Sequence, residues 1–131
     1  MTVLQPPGWP RPRGYANGVA ARGELVFVAG QIGWNAQQRF ESDEFVAQAA
    51  QALRNVVAVL HAAGALPAHV VRLTWYVVDK REYLASLPAL GAAYRAVMGA
   101  HYPAMTAVEV SALIEDRARV EIEATAVIPA P

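Results

Sequence analysis

Glu121 and Glu123 flank Ile122 in the segment Val120-Glu121-Ile122-Glu123-Ala124. Alternate side chains of an extended chain share a face, so these carboxylates lie roughly 7 Å apart along a strand. Such a pair can do general acid–base work, and it equally suits a solvated strand face. Glu109 carries the same two readings. Gly14-Tyr15 offers a phenol that can line a pocket and donate a hydrogen bond, or an aromatic that packs beside a strand start. Gly30-Gln31 offers backbone N–H groups at a strand end, of the kind that receive a carboxylate or an oxyanion.

Other chemistries are poorly served. There is no cysteine, which excludes disulfides and thiol nucleophiles. His61, His69 and His101 are scattered without ligand spacing, so no metal is expected, and His61 reads as a structural residue at a helix C-terminus. Neither a Gly-rich phosphate loop nor Gly-x-Ser-x-Gly is present, and no organic cofactor is expected. Trp34 and Trp75 read as packing or interface residues. Lys+Arg and Asp+Glu stand at 11 each; this balance lacks the basic stripe of a nucleic-acid binder. No apolar stretch is long enough for a bilayer, and Met1 to Pro7 does not read as a signal peptide. A cytoplasmic protein without nucleic-acid or membrane partners is the expectation.

The elements that must position these residues follow from periodicity. The length of 131 residues fits one domain, with residues 1–13 as an irregular, proline-rich lead-in. Ala16 to Ala21 and Leu25 to Ala29 read as short strands, with Gly23 in a hairpin turn between them. Gly30 ends the second, and Gln31 to Glu41 read as a loop. Ser42 is the expected N-cap of a helix about 20 residues long, stopped by Gly64 and Pro67. Val70 to Val78 alternates as a strand. A second helix starts at Ser86, with Pro88 in its first turn and Gly99 at its end. Thr106 to Leu113 and Arg119 to Ile128 read as two neighbouring final strands. The order β-β-α-β-α-β-β gives an α/β (α+β) fold, a mixed sheet with two helices packed on one face. The apolar share of 55% and the uncovered sheet face then call for a partner subunit.

In order and spacing this pattern resembles the Rid family, also called YjgF or reactive-intermediate deaminase. The resemblance runs from Gly14-Tyr15 to Val127. It is carried by Leu25-Val26-Phe27-Val28-Ala29-Gly30-Gln31-Ile32, Gln48 through Asn55, Ala63-Gly64-Ala65, Tyr102-Pro103-Ala104 and Val120-Glu121-Ile122-Glu123-Ala124. It implies a chorismate-mutase-like fold and a homotrimer with small-molecule sites in the clefts between subunits. It also implies cofactor-independent hydrolysis of imines and enamines. Carried over by residue, Glu121 becomes the catalytic carboxylate that positions or activates water, with Glu123 beside it. Tyr15, Gly30 and Gln31 line the substrate site.

Three positions depart from the family deaminases. Met105 stands where they carry an arginine that clamps the substrate carboxylate. Ala107 stands where they often have cysteine, and Gly91 where they often have asparagine. Methionine offers a soft apolar surface and no charge. The resemblance therefore points to an imine or enamine larger or more apolar than 2-aminoacrylate, such as an aminomuconate-type substrate. Arg72, on a strand face with Thr74 and Tyr76, is a candidate for a relocated anion clamp. The alternatives are a non-enzymatic, regulatory trimer that binds a small ligand or a partner protein in the same clefts, and an RNA-cleaving or translation-inhibiting protein, against which the charge balance speaks.

Overall fold

The computed structural model describes residues 1–131. In chain order the elements are β1 (Thr2–Leu4), β2 (Gly18–Ala20), β3 (Glu24–Ile32) and α1 (Phe45–Ala62). A 3-10 turn (Pro67–His69) leads into β4 (Val70–Val77). Then come α2 (Lys80–Ala85), α3 (Leu87–Met98), β5 (Ala104–Glu109) and β6 (Val120–Ile128). The expected β-β-α-β-α-β-β sequence is present, with β1 and α2 added to it.

The main sheet has the order β3-β6-β4-β5. β6 runs antiparallel to both its neighbours, and β4 runs parallel to β5. The helices lie on one face. Val120, Ile122, Ala124 and Ala126 of β6 and Leu73, Trp75 and Val77 of β4 point into a core. Leu53, Val56 and Leu60 of α1 and Leu90, Tyr94 and Met98 of α3 complete it. Leu53 and Leu60 are fully buried; each such side chain stabilises the fold by about 1.5–3 kcal/mol. α1 ends as its sequence predicts. Gly64 adopts φ 73°, its N–H donates to the His61 carbonyl, and the Ala65 N–H donates to the Leu60 carbonyl. This is the left-handed glycine stop that satisfies the last carbonyls of a helix.

Several local expectations are corrected. Thr2–Leu4 is a strand, paired antiparallel with Gly18–Ala20, so the lead-in is not irregular throughout. β2 does not form a hairpin with β3. Gly23 instead sits against the end of β6, where a Cβ would collide with the Ile128 carbonyl. β3 does not stop at Gly30 but continues to Ile32 across a register shift between Val28 and Gln31. Ser42 is not the cap of α1; its Oγ accepts from the Glu44 N–H at 3.0 Å, and the helix starts at Phe45. β5 and β6 are not neighbours, because β4 lies between them. α2 has no legible helical period, because it spans only six residues. Its sign was Asp79 followed by Glu82: the Asp79 carboxylate accepts from the Arg81 N–H at 2.9 Å and caps the helix.

Candidate functional site

Residues paired directly in a ladder share a face of the sheet, and this divides the expected site residues in two. Met105 pairs with Leu73, and Ala107 with Trp75. Both therefore lie on the helix-covered side. Glu121 pairs with Tyr76, and Glu123 with Thr74. Both therefore lie on the open side, two strands away from Met105.

On the helix side a cleft of about 640 Å³ opens between the β5 edge, α2 and α3. Met105, Ala107 and Gly91 all line it, with Tyr15, Tyr83 and Tyr102. Tyr15 arrives there because the chain adds to the β5 edge: Ala16 bridges Ala104, and its N–H donates to the Pro103 carbonyl at 2.9 Å. Tyr102 stacks on Tyr94 with ring centroids 5.4 Å apart. The Tyr94 hydroxyl donates to the His101 carbonyl at 2.5 Å, and burial pushes its pKa above the usual phenol value. Burial likewise raises that of Tyr83. Arg13 and Arg95, which sequence reasoning did not single out, also line this cleft. The available signal was spacing: Arg95 follows Gly91 by one helical turn.

On the open side Glu121 lies over the backbone of Gly30. A Cβ at residue 30 would fall inside its carboxylate, so the glycine admits the acid. Its neighbour Glu123 accepts a hydrogen bond of 2.6 Å from the Tyr76 hydroxyl. That bond raises the Tyr76 pKa, with desolvation and the charges of Glu123 and Glu121 adding to it and Arg72 opposing. Arg72 lines a concavity of about 400 Å³ with Phe27, Thr74, Glu123 and Thr125. It is thus not in the cleft of Met105. Gln31 folds its amide back onto the Ala29 carbonyl at 3.1 Å. Glu109 has a structural task, accepting from the Lys80 N–H at 2.8 Å at the start of α2. His61 is exposed at the last turn of α1. No group of three or more histidine, aspartate or glutamate side chains is placed to hold a metal ion. No helix is long and apolar enough to cross a membrane.

One copy of the chain therefore carries two candidate sites on opposite faces of its sheet. The first is an aromatic and apolar cleft with two arginines; the second is a carboxylate seated on a glycine.

Comparison with known proteins agrees with the fold. Residues 10–128 match the family model described as Endoribonuclease L-PSP. The chain is 35% identical over 113 residues to the 2-iminobutanoate/2-iminopropanoate deaminase of Salmonella typhimurium, covering 86% of each chain. It superposes on YyfB of Yersinia pestis, a protein of the Rid family, with a TM-score of 0.85 and 36% identity, covering 97% of this chain and 98% of that one. It is also similar to Escherichia coli TdcF, solved with bound serine, with a TM-score of 0.69 and 30% identity, covering 98% and 99%. Matching sequence over most of its length, and matching fold, the chain belongs to the Rid (YjgF) family.

Proposed function

We propose that the protein is an imine or enamine hydrolase whose substrate is larger or more conjugated than 2-aminoacrylate. One observation carries this reading: Met105, Ala107 and Gly91, the three departures from the deaminase pattern, line a single cleft. A small acid clamped by arginine in relatives has no such partner at residue 105. Methionine and the two small residues leave room and apolar surface instead. An unsaturated substrate of the aminomuconate type fits that surface.

The reaction balances as follows. An enamine first tautomerises to its imine. Glu121 accepts a proton from water as the water oxygen bonds to the imine carbon. That proton passes to nitrogen, giving a carbinolamine; the second water proton then moves from its hydroxyl to nitrogen as the C–N bond breaks, and a carbonyl compound and ammonia leave. Glu121 and the cleft lie on opposite faces of one sheet, so the complete site needs a second copy of the chain. The exposed Phe27 and Leu25 on the open face suit a homotrimer that buries them and brings one copy's Glu121 to another's cleft.

The test measures ammonia release from 2-aminoacrylate and, separately, from 2-aminomuconate. Turnover of the second is expected, with the first at least roughly tenfold slower for want of a charged hydrogen bond. Glu121→Gln should remove both activities. Equal or faster use of 2-aminoacrylate, or full activity in Glu121→Gln, would sink the reading.

A second reading rests on the cleft alone. No carboxylate lines it, so it can hold a ligand without any chemistry. Thermal-shift stabilisation by apolar acids with no turnover of either substrate would favour a binding protein.

A further inference from the structure

Arg13 and Arg95 reach the same cleft from different parts of the chain, one from the lead-in and one from α3. Neither is tied up. The ion pairs of the molecule join Arg117 to Asp43 and Arg119 to Glu82, both away from the cleft. The cleft wall contains no aspartate or glutamate, so nothing in it neutralises the two guanidinium groups. A recess lined by one sign of charge and low-dielectric walls concentrates its field on whatever enters.

Two details of the wall sharpen this. A Cβ built on Gly91 meets only Arg95 Nη1, at 3.5 Å. The glycine thus leaves open the space beside the guanidinium, and any longer side chain there would project into it. Trp75, another wall residue, is 4% exposed, and its indole Nε1 is the one buried side-chain polar atom without a hydrogen-bond partner.

We propose that Arg95, assisted by Arg13, is the anion-binding group of the cleft, and that the ligand carries a carboxylate held from the α3 side with its apolar or conjugated body over Met105 and Tyr102. The inference deepens the hydrolase reading and rests on the same cleft, but it concerns binding and does not require turnover. The charge withdrawn from the sheet at residue 105 is supplied from the helix. A cation on α3 instead of β5 holds the acid at a different end of the cleft, which selects a longer acid over a two- or three-carbon one.

The probe is cis,cis-muconate, a six-carbon unsaturated diacid, with its dimethyl ester as the uncharged control. Binding to the full chain is followed by titration calorimetry. The diacid should bind, and bind more weakly as salt is raised; the ester should bind at least about tenfold less well, the scale of a lost charge-assisted hydrogen bond. Arg95→Gln should weaken the diacid by about tenfold or more, Arg13→Gln by less, and Arg95→Lys should keep part of the affinity. Unchanged melting temperatures show that the variants are folded, as the exposure of both side chains leads one to expect. Wild-type affinity in Arg95→Gln, equal binding of ester and diacid, or no binding of the diacid overturns the proposal. Ammonia release from 2-aminomuconate separates the two readings. Unaltered binding and turnover in Arg95→Gln sinks the anion site and leaves the hydrolase standing. Diacid binding that depends on Arg95, with no turnover in the wild type, does the reverse.

Discussion

The Glu121 carboxylate occupies the volume that a side chain at Gly30 would need. The two residues belong to adjacent antiparallel strands, at a place where the β3–β6 register shifts between Val28 and Gln31. The glycine is therefore explained by its neighbour's side chain, and its φ is not in the left-handed region. Gly30→Ala should push the carboxylate aside and lower kcat/KM on the best substrate by about a hundredfold, the usual cost of displacing a reacting group by about 1 Å. The stability loss should be about 1–3 kcal/mol, typical of overpacking. Activity assays beside thermal melts check this; full activity in a stable variant would contradict the role proposed for Glu121.

Met105→Arg should restore a sheet-borne cation to the cleft. Use of 2-aminoacrylate should then rise by roughly ten- to a hundredfold, from the 1.5–3 kcal/mol that a hydrogen bond to a charged group supplies. Side-by-side kcat/KM values for the wild type and the variant measure it. No gain would show that residue 105 does not govern acid recognition.

Phe27, 73% exposed, and Leu25 present apolar surface on the open face. Phe27→Glu should break the assembly proposed to cover it, because a buried unpaired charge costs several kcal/mol. Light scattering should show the wild type at three times the chain mass and the variant at one, with activity lost alongside.

Gln48 is buried among the core side chains, and its amide joins three segments. Nε2 donates to the Ser42 carbonyl at 3.1 Å and to the Arg117 carbonyl at 3.0 Å, while Oε1 accepts from the Arg119 N–H at 2.8 Å. Gln48→Leu leaves those backbone groups unpaired, at about 1–3 kcal/mol per buried orphan. Denaturant unfolding should show a loss of about 2–4 kcal/mol.

Tyr94 and Tyr83 are raised above 10.0 by burial, and Tyr76 by its bond to Glu123. Above pH 10 the unfolded chain loses phenolic protons that the folded chain keeps, so the unfolded state binds fewer. Their contribution is complete below about pH 10 and declines as pH rises toward the folded values. Melting temperature should fall through this range, and by less in Tyr94→Phe relative to that variant's own neutral value.

The sequence alone determined the main elements, because each depends on local pattern. The α1 apolar stripe, the Gly64 stop, Pro88 after Ser86, and the alternation in β4 and β6 are set by neighbours within a turn or two. It also carried the family, through short motifs whose order survives without coordinates, and it marked Glu121, Tyr15, Met105, Gly91 and Ala107 as candidates. It could not say that these fall on two faces. Strand order is a long-range property, and the insertion of β4 between β5 and β6 separates residues that lie close in the chain. Only the tertiary structure put Met105, Ala107 and Gly91 in one cleft, placed Glu121 on Gly30, and set Arg72 on the open face beside Glu123, away from that cleft. It alone revealed Arg13 and Arg95 at the site, since a solvated arginine on a helix looks like any other until the packing of its neighbours shows what it faces.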